Sequence, residues 1–167
     1  MGFMEQKALL VLFLSTGNAG RSLLAEALLN AKKSSLYRAH SAGTAPLESV
    51  PLETKALLEG AGFDTLKLHP KRWQDFYAAN SLVPVDVIVT LSEEAKTLCP
   101  LDWPGNPVVT HWAVDDPLAA TRADIREWKF LKCFSVLDAR IEALSRERPA
   151  RSWAELLLKL RDIGMVV

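Results

Sequence analysis

The octapeptide Ser15-Thr16-Gly17-Asn18-Ala19-Gly20-Arg21-Ser22 joins an unbroken apolar run, Ala8 to Leu14 (ALLVLFL), to a segment of good helix formers, Arg21 to Ala31 (RSLLAEALLNA). A short continuous apolar run ended by a glycine-containing turn suits a strand buried on both faces of a parallel sheet. Leu24, Ala27, Leu28 and Ala31 recur at the i, i+3, i+4, i+7 spacing of a buried helical stripe. A strand that feeds directly into a helix must cross over, with right-handed sense, to a parallel neighbour. The junction therefore restricts the chain to the α/β class before anything else is considered.

The remaining pattern continues that alternation. Tyr37 to Ala42 is expected to be a second strand, Pro51 to about Gly60 a helix with Pro51 in its first turn, and His69 to Ala79 a short helix. Val85 to Leu91 (VDVIVTL) is rich in β-branched residues and predicts a third strand; Val108 to His111 predicts a fourth. From Asp124 to Leu144 the sequence predicts a long amphipathic helix with Ile125, Trp128, Leu131, Phe134 and Leu137 facing inward. A last helix, about Ser152 to Asp162, is expected to stop at Gly164. The sum is a three-layer α/β/α fold with a central parallel sheet of about four strands and an extra C-terminal helix. No repeat or linker divides the 167 residues, so a single domain spanning 1–167 is expected.

Composition narrows the functions. Twenty basic residues balance twenty acidic ones, so no net field draws the molecule to nucleic acid or to anionic lipid. The seven-residue apolar run is far short of the roughly 20 residues needed to cross a bilayer. Cys99 and Cys133 form neither a disulfide framework nor a CxxC pair, which points to a reducing compartment, the cytoplasm by default. His40, His69 and His111 have no metal-like spacing, and neither a metal nor a cofactor is expected.

Any anion must then be caught locally, at the octapeptide. Ligands of parallel α/β sheets bind outside the carboxyl ends of the strands, where a strand hands over to its helix. Gly17 and Gly20 remove side-chain obstruction, so the N–H groups of Thr16 to Arg21, with Ala19 among them, can curl round an anion at the positive end of the helix. Arg21 offers a planar guanidinium to two oxygens of the same guest. The plainer alternative is a tight turn with Arg21 solvated. Asp115-Asp116-Pro117 likewise has two readings, a turn or cap against an acid facing the loop.

Ser15 and Arg21, six residues apart, fall on the C-x5-R pattern of the low-molecular-weight protein tyrosine phosphatases and the related thioredoxin-linked arsenate reductases, which this chain resembles. AEALLN (Ala25 to Asn30), SAGT (Ser41 to Thr44), VTLSEEAKTLCP (Val89 to Pro100) and HWAVDDP (His111 to Pro117) follow in the order of the arsenate-reductase-like branch, so the similarity spans about residues 8–145 and leaves 146–167 as an extension. The resemblance implies a loop of residues 15–21 that holds phosphate, arsenate or a phosphomonoester, with Asn18 bracing it. It also implies that Asp116 is the general acid, a role typically worth about 10²–10⁴-fold in rate, and that Ser22 is the hydroxyl aimed at the nucleophile. Ser22 suits a helix cap equally well.

Ser15 stands where the family carries its nucleophilic thiol. A hydroxyl stays protonated near neutral pH without a base beside it, so the chain is expected to bind the anion and form no covalent intermediate. Ser92 aligns with the second thiol of the reductases and Cys99 with the third, and a resolving cysteine without an upstream partner completes no relay. Cys133 reads as a core residue. Leu118-Ala119 replace the tyrosine pair that follows the acid in tyrosine phosphatases. Three identities follow: a phosphatase-like enzyme whose loop cysteine was replaced by Ser15 by design to trap ligands, a naturally degenerate oxyanion sensor or phosphoprotein-binding module, and a flavodoxin-like electron carrier, since LSTGN also resembles a flavin phosphate loop.

Overall fold

The computed structural model describes residues 7–78, 81 and 83–167. Four parallel strands form one sheet in the order β2-β1-β3-β4: β1 is Leu9–Ser15, β2 Tyr37–Gly43, β3 Val87–Thr90 and β4 Val108–His111. The six α-helices of the described residues are α1 (Arg21–Ala31), α2 (Leu52–Gly60), α3 (Gln74–Tyr77), α4 (Glu93–Leu98), α5 (Ala123–Arg146) and α6 (Trp153–Gly164).

Every residue of β1 is buried because the strand pairs on both edges and is covered on both faces. Alternate side chains enter different cores, as strand geometry requires. Leu9, Val11 and Phe13 join α1, α2, α5 and α6 through Leu24, Leu58, Leu137 and Leu160. Leu10, Leu12 and Leu14 join α3 and α4 through Phe76 and Ala95. Helices thus cover both faces of a four-stranded parallel sheet, as the strand–helix alternation implied. Chain order reverses beside β1, with β2 on one side and β3 on the other, and the crevice between the carboxyl ends of β1 and β3 is the expected ligand position.

Three local expectations are corrected. The helix expected over His69 to Ala79 shrinks to Gln74–Tyr77, while Ala79 lies outside the described residues. Its first part is extended because Arg72 forms a parallel bridge with Gly43: the Gly43 amide donates to the Lys71 carbonyl and the Trp73 amide to the Gly43 carbonyl. Pro51 precedes α2 as its N-cap instead of opening its first turn. Helix α5 also faces the core differently. Ile125, Trp128 and Leu131 are exposed, and the buried stripe is Phe130, Cys133, Leu137, Ile141 and Leu144. Phe134 is partly buried against Phe63. Where a helix carries two apolar stripes, the neighbouring layer decides which is buried.

Candidate oxyanion site

Strand β1 ends at Ser15, paired with Gly43 at the end of β2. A Cβ on Gly43 would lie 2.7 Å from the Thr16 carbonyl oxygen and 3.0 Å from the Asn18 nitrogen, so this close approach needs glycine. The segment after Gly43 then takes up the outer carbonyls of the turn. Amides of Thr44, Ala45 and Leu47 donate to the carbonyls of Ser15, Thr16 and Gly17 at 3.1, 2.9 and 2.9 Å, and the Thr54 hydroxyl donates to that of Ala19 at 2.6 Å. In a trans peptide the carbonyl and the next N–H point in opposite directions. Tying these carbonyls outward turns the N–H groups of Thr16, Gly17 and Gly20 inward. The inward amides meet the N-terminus of α1, which begins at Arg21. Amides turned inward beside a helix N-terminus are the donors by which such junctions stabilise an anion.

Asn18 holds this shape. It is fully buried and sits at φ 45°, a left-handed conformation that asparagine tolerates better than most residues. Its Oδ1 accepts the Lys71 amide at 2.7 Å, which fixes the orientation of the carboxamide. Nδ2 therefore donates, at 2.8 Å to Ser22 Oγ and at 2.8 Å to Ser41 Oγ. The Ser41 hydroxyl donates in turn to Glu26, whose carboxylate also pairs with Lys71 Nζ at 3.3 Å.

These bonds set the polarity at Ser15. Ser22 Oγ accepts from Asn18, is fully buried and lies 2.6 Å from Ser15 Oγ, the remaining partner for its proton. Ser22 makes no side-chain cap, so of its two expected roles the structure places the hydroxyl on Ser15. Ser15 Oγ accepts a second bond from the Asn18 amide at 3.2 Å. With two donors filling its lone pairs, the Ser15 hydroxyl proton has no acceptor within the network and is available to a guest.

Arg21 is buried, not solvated. One guanidinium nitrogen donates to the Val114 carbonyl at 3.0 Å, and the other lies 3.5 Å from Asp116 Oδ2. Sequence positions far apart are thereby joined, loop cation to candidate acid. Asp116 Oδ1 also accepts the Leu118 amide at 3.0 Å, so the residue caps the 3-10 turn Pro117–Ala119 while its other oxygen faces Arg21. The aspartate thus caps a turn and lies beside the loop cation at the same time. Asp115 is exposed.

The residues aligned with the reductase thiols are differently placed. Ser92 Oγ accepts the Thr16 hydroxyl at 3.1 Å and caps α4 by accepting the Ala95 amide at 3.1 Å. Cys99 closes the far end of α4, roughly 10 Å away at 1.5 Å per residue. It is half-buried, and burial raises its pKa. Cys133 is buried behind Arg21 and Asp116, and burial pushes its thiol up to about 12. Among the described residues no three His, Cys, Asp or Glu side chains cluster to hold a metal ion, and no helix is long and apolar enough to cross a membrane.

Residues 10–152 match the family model for low molecular weight phosphotyrosine protein phosphatases. The chain belongs to that family. Within it, an arsenate reductase of Bacillus subtilis is 30% identical over 129 residues, covering 77% of this chain and 87% of the reductase. An arsenate reductase of Bacillus cereus is 31% identical over 137 residues, 81% of this chain and 93% of its own length. The crystal structure of the arsenate reductase from Archaeoglobus fulgidus superposes with a TM-score of 0.63 at 28% identity, over 82% of this chain and 99% of that one. Membership of the phosphatase and arsenate reductase superfamily accounts for the loop, for Arg21 and for HWAVDDP together, which a flavin carrier does not.

Sequence reasoning missed four contributors to the phosphatase-like loop: Glu26, Ser41, Thr54 and Lys71. Ser41 lies inside the SAGT motif, a signal that was present. Thr54 reaches Ala19 across 35 residues and the Lys71 amide reaches Asn18 across 53, and no local pattern marks such partners.

Proposed function

We propose that this chain binds a tetrahedral oxyanion, inorganic phosphate, arsenate or a phosphomonoester, reversibly in the loop Ser15–Arg21, without forming a covalent intermediate. The observation that carries the reading is the hydroxyl polarity: Ser22 and the Asn18 amide both donate to Ser15 Oγ. A serine nucleophile needs a base to take its proton. Ser15 touches a hydroxyl and an amide instead, so it serves as one more donor in the cup. The inward amides, the helix terminus and Arg21 supply the remaining stabilisation of a negative guest. Asp116, 3.5 Å from Arg21, is placed to share a proton with one oxygen of that guest.

Ser92 favours a natural binding protein over a trapped enzyme. Its hydroxyl is built into the structure twice, as the cap of α4 and as acceptor for Thr16, which fits a serine native to the position. A protein carrying a phosphorylated side chain is one candidate ligand, since the loop accepts any phosphomonoester that can reach it. Free cysteines at 99 and 133 fit a reducing compartment such as the cytoplasm.

Calorimetric titration with phosphate and with arsenate tests the proposal. The chain should bind both, and Arg21→Ala should weaken both by at least about tenfold, the loss of a charge-assisted pair. Equal affinity with and without Arg21 would refute the site. Aryl phosphate hydrolysis by Ser15→Cys then separates the identities: turnover means the remaining machinery is intact, and no turnover supports the degenerate binder.

A further inference from the structure

The family match ends at residue 152, yet α6 is joined to the segment that carries the candidate acid. Trp112, at the start of that segment, is fully buried, with its ring 6.1 Å from that of Phe13 on β1. Its indole N–H donates to the Leu160 carbonyl of α6 at 2.8 Å. At the end of α6 a Cβ on Gly164 would come within 2.7 Å of Trp112 Cδ1. Only a glycine lets the helix end lie flat against the indole.

A second link runs through Arg140 of α5. Arg140 is 6% exposed, and its guanidinium donates to two carbonyls, Val166 beyond α6 at 3.0 Å and Ala113 at 3.2 Å. The next carbonyl, that of Val114, accepts Arg21. Two arginines thus grip consecutive peptide groups, one from the oxyanion loop and one tied to the chain segment after α6. If that segment leaves, a buried guanidinium loses an acceptor it cannot replace with water at no cost. Docking of residues 165–167 and seating of Ala113–Val114 are coupled for that reason.

We infer that α6 and the residues after it, acting through Trp112 and Arg140, brace the Trp112–Asp116 segment and set where Asp116 and the Val114 carbonyl stand relative to Arg21. Trp112, Arg140 and Gly164 are positioning residues: none reaches the cup. On the other side the segment is held by the end of β3 and the residue after it, with the Trp112 amide donating to the Thr90 carbonyl at 2.8 Å and the Val114 amide to that of Leu91 at 3.3 Å. Two-sided support of this kind explains how a loop with an exposed Asp115 can keep Asp116 in place.

The inference rests on the oxyanion reading for its affinity readout and is independent of it for a second one. Two variants are compared with the unaltered chain: removal of residues 165–167, which deletes the Val166 acceptor, and Gly164→Ala, which wedges α6 from Trp112. Phosphate affinity is measured by calorimetry, and amide exchange at Leu118 reports whether Asp116 Oδ1 still holds that N–H. Each variant should weaken phosphate binding by roughly 2- to 30-fold, the range seen when mutations act through a physical network, and should speed Leu118 exchange. Val85→Ala, in the core on the opposite face of the sheet, serves as a control for general destabilisation and should change neither. Unchanged affinity and exchange in the truncated chain overturn the inference, as does an equal change in Val85→Ala at matched thermal stability. If Gly164→Ala does not fold, the truncation decides. Should the unaltered chain bind no phosphate, the oxyanion reading fails and Leu118 exchange alone judges the brace.

Discussion

Replacing Asn18 by alanine tests how much of the oxyanion loop one carboxamide supports. The substitution removes three side-chain hydrogen bonds, two donated to Ser22 and Ser41 and one accepted from the Lys71 amide. Ser22 and Ser41 keep other partners, in Ser15 and in Glu26, so those two losses should cost about 0.5–1 kcal/mol each. The Lys71 amide is part-buried and left without an acceptor, which adds about 1–3 kcal/mol. Alanine must also adopt φ 45°, at about 1 kcal/mol more than asparagine. The total is about 3–6 kcal/mol, a large share of the ~5–15 kcal/mol by which domains are stable. Urea denaturation of Asn18→Ala and Asn18→Gly against the unaltered chain measures it. Glycine loses the same bonds without the backbone strain and should be milder by about 0.5–1 kcal/mol after its greater unfolded-state entropy is allowed for. A cost below about 1 kcal/mol for the alanine variant, outside the range worked from these bonds, would refute the hydrogen-bond accounting; a glycine variant no better than alanine would refute the strain.

Gly43→Ala should destabilise the fold by about 1–3 kcal/mol, since the new Cβ meets loop backbone and not a mobile side chain, and calorimetry should show weaker phosphate binding; unimpaired binding would mean the loop shape is not set there. Leu137→Ala should cost about 2–5 kcal/mol and the exposed Leu131→Ala less than about 0.5 kcal/mol. In denaturant titrations, a cost for Leu131→Ala as large as that for Leu137→Ala would restore the helix face first expected for α5, which held both residues. Stability should fall as pH rises above 9. Tyr37 and Cys133 both have pKa values raised to about 12 by burial, with Glu147 adding to the rise at Tyr37, so between their ordinary values and 12 the unfolded chain loses protons that the folded chain keeps. Cys133→Ala should flatten the first part of that decline in thermal melts recorded from pH 8 to 11.

Much of the architecture was legible because it rests on short-range patterns. Leu9 to Leu14 are buried throughout since β1 has neighbours on both edges, and RSLLAEALLNA starts its helix at Arg21 because the glycine-containing turn ends there. The loop was visible through its residue types, and the Asp116 segment through its resemblance to the family motif. What escaped were features set by a distant partner. Arg72 leaves the helix predicted around it to bridge Gly43, and α5 buries Phe130 and Cys133 in place of Trp128 and Leu131. The proton order at Ser15 depends on the Lys71 amide fixing the Asn18 carboxamide, a contact between residues with no shared motif.

The outward carbonyls of the cup have a practical consequence for protein engineering. Each is claimed by a group outside the octapeptide, the amides of residues 44, 45 and 47 and the Thr54 hydroxyl. Transplanting STGNAGRS onto a foreign strand–helix junction would carry the letters without the scaffold that turns its amides inward. A working graft would need the end of β2, with Gly43, and the Thr54 and Lys71 anchors as well, so the smallest transferable unit is most of the first half of this molecule.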